Sequence, residues 1–80
     1  MKVEEIRKGR VYLLAKKDVD DWNIIYIHDR IEDDKLFITA ELFDDGDMHK
    51  TGFERLSETA GVFAATTNQI ALLNSYISES

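Results

Sequence analysis

The side chains in this sequence best equipped for chemistry are carboxylates. They come in three short runs: Asp18, Asp20 and Asp21; Glu32, Asp33 and Asp34; Asp44, Asp45 and Asp47. Oxygen-rich clusters of this kind attract cations, either a hard metal ion or a basic protein surface. The metal option fails on spacing. Aligning the invariant glycine of a calcium-binding loop with Gly46 places Glu41, Phe43 and Asp45 at the first three ligand positions and Gly52 at the last. Phe43 and Gly52 offer no side-chain oxygen, so no specific metal site is expected. With no cysteine in the chain, zinc would have to be held by histidine and carboxylates alone.

Groups suited to catalysis are scarcer still. His28 and Asp29 are adjacent, but neighbours on a strand point to opposite faces. His28 is expected as a half-buried histidine beside Tyr26. His49, just past an Asp-Gly turn, is expected to be exposed and within reach of Asp47 or of an edge strand. Ser57 and the Thr66/Thr67 pair have no base near them in sequence, and Thr66 suits a helix cap. The glycines are isolated, so no phosphate-cradling loop exists. A chain of 80 residues also leaves little room for a pocket that excludes water. No enzyme and no cofactor are expected.

The acids are unevenly placed along the chain. Residues 1–17 carry six bases against Glu4 and Glu5, a net of +4, whereas residues 18–47 carry eleven acids against Arg30 and Lys35, a net of −9. The whole chain is at −6 with a pI near 4.7, which disfavours nonspecific binding to nucleic acid or to anionic lipid. An apolar fraction of 44% with eight aromatics suffices for a core and argues against disorder. That core must be thin, because a chain this short buries only about 60% of the surface its unfolded form exposes. No disulfide can reinforce it. No run approaches the roughly 18 apolar residues of a membrane span, and Val11–Ala15 is too short for a signal sequence. The chain reads as a single soluble domain over residues 1–80, with a cytoplasmic location expected.

The elements that must position the acids follow from apolar alternation. Arg10–Lys16 reads as a first strand. Trp22–Ile31, rich in aromatic and β-branched residues, reads as a central strand apolar on both faces: Trp22, Ile24, Tyr26 and His28 on one, Ile25, Ile27 and Ile31 on the other. Leu36–Phe43 reads as a third strand, with Leu36, Ile38, Ala40 and Leu42 together and Phe37, Thr39, Glu41 and Phe43 opposite. Asp44–Asp47 is a tight turn because Asp-Gly supplies positive φ. Met48–Phe53 follows as an edge strand, Glu54–Ala60 holds about one helical turn, and Gly61–Ala65 is a short fifth strand. Thr66–Ile77 is a helix: Thr66 and Gln69 have capping-box spacing, and Ile70, Leu73 and Ile77 share a stripe.

Antiparallel strands joined by short turns make a meander. The expectation is therefore a mainly β fold: a small antiparallel β-meander of four or five strands with one C-terminal helix, resembling an SH3-like half-barrel in architecture, with an open sheet carrying the C-terminal helix across one face as the runner-up. In a meander, alternate turns share one end of the sheet. This gathers Asp18, Asp20, Asp21, Asp44, Asp45 and Asp47 at one pole and sends Glu32–Asp34 to the other, some 25 Å away along the central strand.

Three readings of the acidic pole compete: a solvated turn end flanked by Lys16 and Lys17, a docking face for a basic protein surface, and a hard-cation site. The leading expectation is a non-catalytic binding protein, an inhibitor or regulator, whose acids face a basic and normally nucleic-acid-binding surface and stand in for phosphates. Short acidic chains of this kind resemble those encoded by phages and mobile elements. The alternative is a small β-barrel that binds nucleic acid through Arg7, Lys8, Arg10, Lys16 and Tyr12. A homodimer through Ile70, Leu73 and Ile77 is a further option if the sheet leaves that stripe uncovered.

Overall fold

The computed structural model describes residues 3–18 and 23–79. The order of elements is a 3-10 turn (Val3–Glu5), β1 (Val11–Lys16), β2 (Asn23–Glu32), β3 (Lys35–Phe43), β4 (Met48–His49), β5 (Gly52–Arg55), a second 3-10 turn (Leu56–Glu58), β6 (Thr59–Ala64) and α1 (Thr67–Glu79). All strands belong to one antiparallel sheet in the order β4-β3-β2-β1-β6, with β5 also on β3. This is the mainly β meander with one C-terminal helix that alternation indicates. The expected fourth strand is split. β4 and β5 keep a common register on β3, with Glu41 opposite His49 and Ile38 opposite Gly52, and the ladder lapses only at residues 50–51.

The turns explain the hairpins. Gly46 adopts φ +88° in the β3–β4 turn, a conformation that costs glycine little. Between β2 and β3 only Asp33 and Asp34 intervene, and Asp33 takes φ +56°, which aspartate tolerates better than most residues.

The faces depart from simple alternation. Between β2 and β3 the register slips at Ile27/His28 and slips back at His28/Arg30, leaving Thr39 and then Asp29 unmatched. Each extra residue reverses the alternation on its own strand. Ile31 therefore joins Tyr26 rather than Ile25. On β3, Leu36 and Ile38 face the same side as Glu41 and Phe43, while Ala40 and Leu42 face the other. The inner face carries the main core of Ile6, Tyr12, Leu14, Ile24, Tyr26, Leu36, Ile38 and Val62, with Ile31, Phe43 and Leu56 packed against it. The outer face lies under α1, which contacts β2 and β3, and Leu73 is fully buried there.

The bulges also bend β2 and β3, and the bend corrects the expected distance between the turns. Leu56 N–H donates to Asp34 O at 2.8 Å, and Lys17 N–H donates to Glu58 O at 2.8 Å. A three-residue 3-10 turn rises about 2 Å per residue, so the Asp33–Asp34 turn lies roughly 10 Å from Lys17, not at the far end of the molecule. The Asp34 carboxylate is itself a structural group. It accepts Ser57 N–H at 3.1 Å and Ser57 Oγ–H at 2.9 Å, holding the turn that carries the chain across to β6.

The start of α1 follows the sequence signal closely. Thr66 N–H donates to Gln69 Oε1 at 2.8 Å, and Gln69 N–H donates to Thr66 Oγ1 at 3.1 Å.

Candidate functional site: an acidic turn around an aromatic floor

The β3–β4 turn collects the most exposed chemistry. Three side-chain contacts and two backbone hydrogen bonds fix it. Asp44 Oδ2 accepts Asn23 N–H at 3.3 Å, tying the turn to the start of β2. Asp47 N–H donates to Asp45 Oδ1 at 3.0 Å inside the turn. His49 Nε2 lies 3.2 Å from Asp47 Oδ2. Phe43 N–H closes onto Asp47 O at 2.8 Å, and Gly46 N–H onto Phe43 O at 3.0 Å. The His49 ring stands edge-on to Phe43 with centroids 5.1 Å apart. Phe43, Asp44, Asp45, Asp47 and His49 together line a shallow, open hollow of about 390 Å³. Its floor is aromatic and its rim is carboxylate.

The charges on this rim are met by neutral or weakly basic groups: two backbone N–H donors and a histidine. Salt bridges to lysine or arginine form elsewhere among the described residues, from Lys8 to Asp29 at 3.5 Å and from Arg30 to Asp29 and Glu32 at 2.9 and 3.1 Å.

Of the residues expected at the acidic pole, Asp44, Asp45 and Asp47 are assembled in this turn. Asp18 begins the β1–β2 loop at the same end of the sheet, since Ala15 and Phe43 flank the first two residues of β2. It is exposed, with φ +59°. Asp20 and Asp21 lie outside the described residues, as does Trp22. Among the described residues no three His, Asp or Glu side chains converge to hold a metal ion.

Of the expected basic strip, Arg7, Arg10 and Tyr12 line one hollow, but Tyr12 is only 6% exposed and its hydroxyl accepts Arg7 N–H at 2.7 Å, so its ring belongs to the core. An outward aromatic pair is formed elsewhere by Phe37 and Phe53, 6.1 Å apart, with the Arg30 guanidinium 4.1 Å over Phe37 and Lys35 Nζ 5.2 Å over Phe53. The Ile70, Leu73 and Ile77 stripe is divided. Leu73 is buried within its own chain, while Ile70 stays exposed.

Two buried polar groups complete the inventory. His28 is buried with Nδ1 3.4 Å from Tyr26 Oη, its ring edge-on to both Tyr12 and Tyr26. Burial lowers its pKa, and Asp29 partly opposes this. The same burial, with help from Tyr12, pushes the Tyr26 phenol far up. Glu41 was not marked out by the sequence. It is 7% exposed, and its Oε2 has no hydrogen-bond partner. A Cβ on Gly52 would come within 3.1 Å of Oε1, so the glycine makes room for the carboxyl. Burial raises the Glu41 pKa, Glu54 raises it further, and His49 opposes both. Only the glycine at position 52 hinted at this arrangement, because glycine in an edge strand often marks a close approach.

Among the described residues no helix is long and apolar enough to cross a membrane. Comparison with known proteins finds no matching family model, no matching curated protein and no matching solved structure.

Proposed function

We propose that this protein is a non-catalytic binding module that presents the Asp44–Asp47 turn to a basic surface of a partner protein, as an inhibitor or regulator. The observation that carries this reading is the hollow itself. Three exposed aspartates surround Phe43 and His49, in a turn already fixed by its own hydrogen bonds. A lysine or arginine side chain has the matching anatomy: an apolar stem to lie on Phe43 and a cationic head to meet the carboxylates. Fixing the turn beforehand lowers the ordering cost of association. Asp18 at the same end extends the negative field that would steer such a partner.

The test is a binding titration with a lysine- and arginine-rich peptide, comparing the natural chain with the triple variant Asp44→Asn, Asp45→Asn, Asp47→Asn. Three rim pairs at about 0.5 kcal/mol each predict about tenfold weaker binding at low salt, with a shallower salt dependence. Affinity capture from host lysate with both proteins then identifies the partner. Equal affinity and equal salt response of the two proteins would sink the proposal.

A second reading has one observation in its favour. The Phe37–Phe53 pair with Arg30 and Lys35 is an outward aromatic and cationic surface of the type on which single-stranded nucleic acid stacks. Arg30 is already engaged by Asp29 and Glu32, and the overall charge of −6 opposes the approach of phosphates. A gel shift at low salt with natural chain and Phe53→Ala decides it: no complex, or a complex unchanged by the substitution, removes this surface from consideration.

A further inference from the structure

The β6 strand, Thr-Ala-Gly-Val-Phe-Ala over Thr59–Ala64, carries no charged side chain in a chain that is 32% charged. Among the described residues it ends the sheet order and pairs only with β1. Edge strands normally carry charge, a bulge or a cover that discourages pairing with another chain; β6 has a bulge at Ala60, where the register on β1 shifts between Ala15–Gly61 and Lys16–Thr59, but no charge along Gly61–Ala64. Here Ala60, Phe63 and Ala64 are exposed, Phe63 at 50%. Exposed Ile70 lies close by, sharing a hollow with Ala64 and Ala65.

We infer that β6 is a self-association edge, and that a second copy of this chain pairs with it antiparallel about a two-fold axis at Val62. Side chains directly opposite in an antiparallel pair share a face, so the register must keep Val62 inward and Phe63 outward in both copies. Centring the axis on Val62 does this. It sets Gly61 opposite the partner's Phe63 on both sides of the axis, and the regular ladder stops at the Ala60 bulge. No two charges then oppose each other, the two Val62 side chains meet on the inner face, and on the outer face each Phe63 meets only a glycine.

The ring of Phe63 fits this register. It already leans back along its own strand over Gly61, where an added Cβ would lie 3.0 Å from the ring. The partner's Phe63, opposite Gly61, leans the other way over the partner's Gly61. The two rings pass side by side at about the inter-strand spacing of 4.8 Å, within the range of an offset aromatic pair. The charge layout permits the same assembly. The acidic β3–β4 turn belongs to the opposite edge of the sheet order from β6, so two copies joined at β6 keep their acidic hollows apart and open to other partners. This surface is independent of the acidic turn.

Sedimentation velocity of the full chain from low micromolar to millimolar concentration is the test, with circular dichroism as a control for folding. The natural chain is expected to convert from monomer to dimer across this range. Phe63→Glu, at an exposed position, is expected to stay monomeric with an unchanged spectrum. A natural chain that remains monomeric throughout, or a Phe63→Glu variant that dimerises equally well, overturns the proposal.

Discussion

Glu41 shows how one side chain can set the response of the fold to pH. Its carboxyl is buried with Oε2 unpartnered, and burial raises its pKa above the ordinary glutamate range. Between the unfolded value and the raised folded value, the native state keeps a proton that the unfolded chain has released. Stability from this group is therefore greatest at acid pH, falls as pH rises through that window, and is level beyond it. Glu41→Gln keeps the shape without the ionisation. Urea unfolding from about pH 4 to about pH 8 should show the variant gaining on the natural chain as pH rises. Parallel curves would mean that the carboxyl is solvated. His28 works with the opposite sign. Its lowered pKa means that the unfolded chain takes up a proton before the folded one, so its contribution is lost as pH falls through the unfolded value toward the folded one. Neither Glu41's burial nor its loneliness could be read from the sequence, where it sits in a plain alternation between Ala40 and Leu42.

Two elements depend on contacts that the alternation pattern does not display. The crossing 3-10 turn hangs on Asp34, so Asp34→Ala should cost about 1–2 kcal/mol through the loss of both bonds to Ser57, measured by urea denaturation. Asp34 accepts two bonds from one residue, where Asp44 and Asp45 each accept one. Helix α1 hangs on Leu73, and Leu73→Ala at this fully buried site should cost about 2–5 kcal/mol. A loss below about 0.5 kcal/mol would show that the helix is not docked as described. The elements with local signals were legible: the Asp-Gly turn at Gly46, the Thr66–Gln69 cap, and the β-branched run that forms β2. The bulges at Asp29 and Thr39 were not, because no glycine or proline marks them and Leu36–Leu42 alternates cleanly. They follow from packing the sheet around a shared core, a tertiary demand that overrides local pattern. This is why Leu36 and Leu42 face opposite sides, and why the Asp33–Asp34 turn lies near Lys17.

For the molecule as a whole, the uneven charge of the sequence becomes a localised feature at the β3–β4 turn. The aspartates there are exposed, so the triple asparagine variant should fold with a melting temperature close to that of the natural chain. A large drop would move these acids from recognition to stability. The partial legibility of this site has the same origin as that of the fold. Asp44, Asp45 and Asp47 were visible as a run of like charge, whereas Phe43 beneath them became part of the site only when the bulges turned it toward the core side. One contact links the turn to the far end of the chain: a Cβ at Gly46 would lie 3.4 Å from Tyr76 Oη, so the last turns of α1 lean on the loop that carries the acids. On the proposed function, removing the Tyr76 ring would leave every carboxylate in place and still loosen the way they are presented.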